Sequence, residues 1–237
     1  MIHKIASALM RVWFVLLCAA SLWSGSTLAA DPTEFWPEVG LFVDTSPRTR
    51  LFFDAPYARD ASSYNHTLET AAYIDITLIP IFRQSLRQDD WAGSKFFWAR
   101  IGYDHVQSAS DGTRKEPEER LILELRGRFE LPEKFLIEAR ARTDFRWIGG
   151  DYSNRYRFRI EVNRECSILD HTVTPYVQVE WFYDTRYDGW SRILYQFGPE
   201  ITVGKHFRYE VYVARQVDRL PSYSAANAAG LFFKWYF

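Results

Sequence analysis

This 237-residue sequence has little from which a metal or cofactor site could be built. It holds two cysteines, Cys18 and Cys166, and its histidines His66, His171 and His206 stand singly, with no metal-ligand spacing to a cysteine or a second histidine. No phosphate-cradling glycine loop and no dinucleotide fingerprint occurs, so no cofactor is expected. The formal net charge is −1, and neither end carries a run of one sign, which argues against nucleic acid as a partner. Past residue 30, no apolar run approaches the ~18 residues of a membrane helix. No feature of the chain fixes an oligomeric state.

What is present begins at the first residues. MIHKIASALMR carries Lys4 and Arg11, VWFVLLCAASL is apolar, and SGSTLAA supplies small residues before Asp31. A basic region, a short apolar core and a small-residue exit form a secretory signal peptide. Residues 1–30 are therefore expected to be removed, by cleavage after Ala29 or Ala30, leaving 31–237 as one domain. The apolar core is shorter than the ~20 residues of a spanning anchor. Leu17 stands before Cys18 where lipoprotein processing wants a small residue. Loss of Lys4 and Arg11 takes the 29 basic residues to 27, against 30 acids. Cys166 is then alone, so an intrachain disulfide is impossible.

The dominant period beyond the signal is two. In EERLILELRGRFEL, Leu121, Leu123, Leu125, Gly127, Phe129 and Leu131 share one face, and Arg120, Ile122, Glu124, Arg126, Arg128 and Glu130 the other. FLIEARARTDFRW sets Phe135, Ile137, Ala139, Ala141, Thr143, Phe145 and Trp147 against Glu138, Arg140, Arg142, Asp144 and Arg146. RYRFRIEVN sets Tyr156, Phe158, Ile160 and Val162 against Arg155, Arg157, Arg159 and Glu161, and YVQVEWFYD repeats the pattern around Glu180. Alternation over a dozen residues is a β signal that a helix would scatter around its axis. The segments run about 10–14 residues, longer than the usual strand and sufficient to cross a bilayer at a tilt. Short turns at TSPR, LPEK, SILDHT and GKHF alternate with polar loops at ARDASSYNH, QSASDGTRKEP, GGDYSN, TRYDGWS and VDRLPSYSA. The expected fold is all-β: a single antiparallel up-and-down transmembrane barrel of about 10–12 strands.

Eleven candidate strands can be counted, whereas bacterial single-chain barrels are normally even. Either FWPEVGLFVD is not a full barrel strand, giving ten, or the 80–95 region hides one, giving twelve. Aromatic residues, 17% of the chain, gather near strand ends (Phe145, Trp147, Trp181, Tyr183), as in the girdles at lipid interfaces. This favours the apolar face toward lipid, with Arg120, Glu124, Arg126, Arg128, Glu138, Arg140, Arg142, Asp144, Arg146, Arg155, Arg157, Arg159, Glu161 and Glu180 as a charge ladder lining the lumen. A soluble periplasmic barrel with an apolar ligand inside is the alternative of opposite orientation.

The export signal, the meander and the final strand LFFKWYF resemble a Gram-negative outer-membrane β-barrel. FWPEVGLFVD, the short turn into TRLFFDA and the Arg/Glu-rich middle hairpins are similar to a family of uncharacterised barrel proteins, a domain of unknown function. The wider resemblance implies outer-membrane lipid as surroundings and the barrel-assembly machinery as a partner during insertion. It also implies that Phe233, Trp235 and Phe237 present the assembly signal.

Two roles remain for the lumen. An arginine-rich bore could pass anions, but ten to twelve strands leave little room once Arg and Glu fill it, so a closed, structural barrel is the favoured expectation. Catalysis is not expected. The nearest constellation, His105 and Ser108 in GYDHVQSASDG, would serve a lipid-modifying enzyme at the rim. Residues three apart on a strand begin on opposite faces, however, and a Ser–His pair must be within hydrogen-bond reach.

Overall fold

The computed structural model describes residues 31–61, 63–78, 96–110, 112–132, 135–168 and 171–237; the expected signal peptide lies outside them. Thirteen strands follow in order: β1 (Thr33–Ser46), β2 (Thr49–Asp60), β3 (His66–Thr77), β4 (Phe97–Ser110), β5 (Thr113–Arg114), β6 (Glu118–Leu131), β7 (Phe135–Ile148), β8 (Asp151–Arg164), β9 (Cys166–Ile168), β10 (His171–Asp184), β11 (Gly189–Val203), β12 (Phe207–Asp218) and β13 (Ser224–Tyr236). The short β5 and β9 only extend hairpins with β4 and β10. The other eleven form a closed ring, each pairing with its neighbours along the chain and β1 pairing with β13.

Ten of the eleven pairings are antiparallel; the closure is parallel, from Thr33 opposite Asn227 to Phe42 opposite Tyr236. An up-and-down meander with an odd number of strands must close this way, because its first and last strands run in the same direction. The expectation of an even ring is therefore corrected, while the count of eleven segments stands. FWPEVGLFVD lies within β1, a full strand of 14 residues hydrogen-bonded on both sides. The 80–95 segment lies outside the described residues. β3 and β4 pair directly from His66–Ala109 to Thr77–Trp98, so no further strand stands between them.

The connections fall into two rims. Residues 61–65, 111–117, 149–150, 185–188 and 219–223 join strands at one end, here the loop rim; 47–48, 78–96, 132–134, 165–170 and 204–206 join them at the other, the turn rim. Expected loop GGDYSN is tighter than its composition implies. Gly149 and Gly150, both at positive φ, make a two-residue hairpin turn, and β8 begins at Asp151.

Each strand buries one parity inward. Leu121, Leu123 and Leu125 are 42–45% exposed on the outer surface, as are Phe53, Ile74, Ile101, Phe158 and Val177 at similar levels. Asp75, Asp104 and Asp144, by contrast, are fully buried in the lumen. On these strands the arrangement is the inverse of a water-soluble barrel, with the apolar parity outward and the charges within. Rings gather at both ends of the outer face: Trp147 on Tyr152, with centroids 5.3 Å apart, and Tyr183 on Trp190, 5.7 Å, toward the loop rim. Phe207 packs on Trp235, 5.1 Å, and on Phe233, 6.1 Å, toward the turn rim. Between Phe135 and Trp147 twelve steps of β7 cover ~40 Å of strand. At the ~35–45° tilt of membrane barrels this stands about 28–32 Å high, close to the thickness of a hydrocarbon core.

Candidate functional site: the charged lumen

The register of β4, β6, β7, β8 and β10 brings the charged parity together in rows. Trp98, Arg126, Arg140, Arg159 and Glu180 stand side by side across the five strands; so do Arg100, Glu124, Arg142, Arg157 and Phe182. Three arginines are thus direct neighbours in the first row and two in the second, an arrangement that repels. The long guanidinium side chains resolve it by reaching diagonally rather than straight across.

Diagonal pairing places most of these carboxylates between two or more cations. Glu180 accepts from Arg140 Nη2 at 2.6 Å and from Arg157 Nε at 2.7 Å. Glu138 serves Arg128 Nε at 2.8 Å, Arg159 Nη2 at 3.1 Å and Arg126 Nη1 at 3.4 Å. Glu124 takes Arg126 as its close partner. Asp144 accepts from Arg142 Nε at 2.5 Å, and the other arm of Arg142 reaches Asp104 at 2.9 Å, over the intervening strand. Arg120 bridges Glu118, 2.7 Å, and Glu69, 2.8 Å, while Arg146 joins Glu118 to Asp184, the latter at 2.5 Å. Glu161 accepts from Asn163 Nδ2 at 2.9 Å and lies 3.9 Å from Arg159. Arg155 meets Asp184 at 3.4 Å. All fourteen ladder residues face inward and belong to this one network.

Sequence reading missed several partners. Asp75 sits directly opposite both Arg50 and Arg100 and holds them at 2.9 and 2.6 Å. Glu210 and Glu200 share Lys234 at 2.5 and 2.6 Å. The usable signal was parity: Asp75 shares a face with Ala71 and Tyr73, and Asp104 with Trp98 and Arg100. In β3 and β4, however, alternation is loose enough to hide it.

The opposite wall is built from rings and small residues. Tyr236, Phe42, Phe52 and Tyr73 stack in sequence across β13, β1, β2 and β3, with centroids 4.7, 4.2 and 5.3 Å apart. Arg50 lies over Phe42 at 4.7 Å and Arg100 over Phe52 at 4.5 Å, joining this stack to the ion-pair network. Two glycines make room for rings of this wall. A Cβ on Gly102 would lie 2.0 Å from the Tyr73 ring, and one on Gly230 would lie 2.0 Å from the Tyr212 ring. Beside Tyr212 the wall is lined by Ala214 and Ala228 with Trp36 and Phe232.

Two cavities among the described residues lie toward the loop rim. One cavity of about 210 Å³ borders Arg155, Asp184, Arg192 and Asp218. Another of about 160 Å³ borders Trp36, Glu38, Glu69 and Tyr212. At mid-lumen, Trp98, Ile122, Asp104, Asp144 and Glu180 are at most 2% exposed.

The remaining expected residues fall elsewhere. His105 and Ser108 are not brought together. His105 faces outward, with Nδ1 2.7 Å from Glu119, which also accepts from the Tyr103 hydroxyl. Ser108, of lumen parity, is bonded to Thr67 Oγ1 at 3.0 Å. Phe233, Trp235 and Phe237 stand on the outer face at the turn rim. Phe237 is tied to β1 by backbone bonds to Phe42, 2.9 Å, and Asp44, 2.7 Å.

Residues 88–227, from ahead of β4 into β13, match the family described as Protein of unknown function (DUF2490). No curated protein matches the chain. Among solved structures, the β domain of the Bordetella autotransporter Brka is similar at 15% identity and a TM-score of 0.46, over 77% of this chain and 82% of that one.

Proposed function

The chain belongs to the DUF2490 family of proteins of unknown function, and we propose that it is an outer-membrane β-barrel closed by its own side chains, with a structural rather than a conducting role. The observation that carries this reading is the reversal of inside and outside: leucine, isoleucine and phenylalanine half-exposed on the outer face, and arginine–carboxylate pairs buried within. Such an exterior is costly in water and costs nothing in hydrocarbon. Closure is supported by the interlocked pairs at mid-lumen, where Glu180 and Glu138 each hold several guanidinium groups. The loop rim then faces the cell exterior. The turn rim, with Phe233, Trp235 and Phe237, faces the periplasm, where the assembly machinery would meet those residues.

No catalytic role is proposed. The outward His105–Glu119 pair orients an imidazole at the lipid interface, but Ser108, the nucleophile it would need, lies across the sheet.

One preparation tests the reading. The full chain, refolded in detergent and added to planar lipid bilayers, should insert, give no stepwise conductance and release no fatty acid. Stable monodispersity without detergent would refute the membrane assignment. Discrete current steps would refute closure, and fatty-acid release lost in His105→Ala would establish the enzyme instead.

A further inference from the structure

The cavity beside Arg155 is bordered by guanidinium groups, whereas the cavity beside Tyr212 is bordered by the acids Glu38 and Glu69. The Arg155 cavity opens toward the loop rim, between the ends of β8, β10, β11 and β12, under Tyr187 of the 185–188 turn and Leu220 to Ser222 of the 219–223 loop. Two guanidinium groups border it, Arg155 and Arg192, with two carboxylates, Asp184 and Asp218.

Both carboxylates are already committed. Asp184 Oδ2 accepts from Arg146 Nη1 at 2.5 Å, and its Oδ1 from the Arg186 backbone N–H at 3.0 Å. Asp218 Oδ1 accepts from Arg192 Nε at 2.5 Å, and its Oδ2 from Gln216 at 2.8 Å. Arg155 is left with one long contact, 3.4 Å to the Asp184 oxygen that Arg146 holds more closely. Its side chain is only 17% exposed. A guanidinium carries five N–H donors, and burying one so thinly paired is expensive. Asp144 stands directly opposite Arg155 in the register, yet its Oδ2 accepts no hydrogen bond. Apart from that one long bond to Asp184, no hydrogen bond from Arg155 to Asp144 forms, and Arg155 borders the cavity. Arg192, bonded through Nε, lies on the same cavity, as do the hydroxyl-bearing Ser191, Ser222 and Ser224.

We propose that this cavity is an oxyanion-binding site, taking a phosphate group from the loop-rim side between Arg155 and Arg192. Forked guanidinium donors match the oxygens of phosphate, and serine hydroxyls can complete its shell. At ~30 Å³ per water the cavity has room for about seven waters, which suits a phosphate ion or a small phosphomonoester and is below the size of a drug-like ligand site. The site goes beyond the structural reading above, since a barrel can be closed at its middle and still bind at its mouth.

The test uses the full chain in a non-ionic detergent, titrated calorimetrically with inorganic phosphate at constant ionic strength, and separately with vesicles containing phosphatidic acid. Saturable binding of the free ion is expected, with Kd raised about tenfold or more in Arg155→Gln and in Arg192→Gln. Arg208→Gln, near the turn rim, should leave it unchanged. Gel mobility before and after heating reports whether each variant is folded, and either of the two cavity variants suffices. The proposal falls if free phosphate shows no saturable binding, if both folded cavity variants bind as tightly as the wild type, or if only the vesicle-borne phosphate binds.

Discussion

The two walls of the lumen fill the same space with different materials. From β6 to β10 it is filled by long charged side chains whose straight-across neighbours repel and whose diagonal partners attract. From β12 through β1 to β3 it is filled by flat rings seated over glycine, beside alanine. The charged wall draws its specificity from many interchangeable donors: Glu138 keeps two of its three partners if Arg126, Arg128 or Arg159 is removed singly. The ring wall depends on shape at single positions, where no neighbour can substitute. The parallel seam lies in the ring wall. Parallel pairing is slightly less stable per residue than antiparallel, and the Phe42–Tyr236 stack reinforces it where it is needed.

The largest break in this comparison should come from the ring wall. Gly230→Val would drive side-chain atoms into the Tyr212 ring, already 2.0 Å from the position of a Cβ. It is expected to abolish the folded, heat-modifiable form on a denaturing gel. Glu180→Ala, on the charged wall, leaves Arg140 and Arg157 with only distant carboxylates, Glu124 at 3.7 Å and Asp144 at 3.8 Å. Loss of one partner from a buried ion pair costs about 3–5 kcal/mol, readable as a lowered urea midpoint with the barrel still formed. Phe42→Leu keeps an apolar side chain but removes the stack on both neighbours and the ring beneath Arg50. About 1–2 kcal/mol is expected, again from the urea midpoint. If Phe42→Leu proved costlier than Glu180→Ala, the ring wall would be the main source of stability as well as of shape.

Much of this was legible in the residues themselves. The alternation in β6, β7 and β8 gave away strand and membership of the charge ladder, because both depend on parity alone, while the direction of the apolar face was read from the aromatic residues near strand ends. Three things were not. The partner chosen by each arginine depends on the stagger between strands, which puts Arg126, Arg140 and Arg159 abreast and makes Arg142 reach past β6 to Asp104. The aromatic stack joins Tyr236 to Phe42 across nearly the whole length of the chain, and local pattern carries no trace of it. The odd ring, finally, was weighed against a general habit of bacterial barrels. What decided it was a hydrogen-bonded register between β1 and β13 that neither strand shows alone. The cavity at Arg155 was equally hidden, since in the sequence that residue is one of nine similar arginines of the ladder.

The eleven-strand ring also makes the barrel a one-way path for the polypeptide. β1 enters at the loop rim and β13 leaves at the turn rim, so the two flanks of the domain lie at opposite ends of the ring. With the loop rim outward, a peptide joined ahead of Thr33 would be displayed to the medium, and one joined after Phe237 would stay shielded behind the membrane. Parity of strand number, a matter of topology rather than of any single contact, thereby sets the two ends of one domain at opposite mouths of the barrel, which on the membrane placement proposed above are opposite sides of a bilayer.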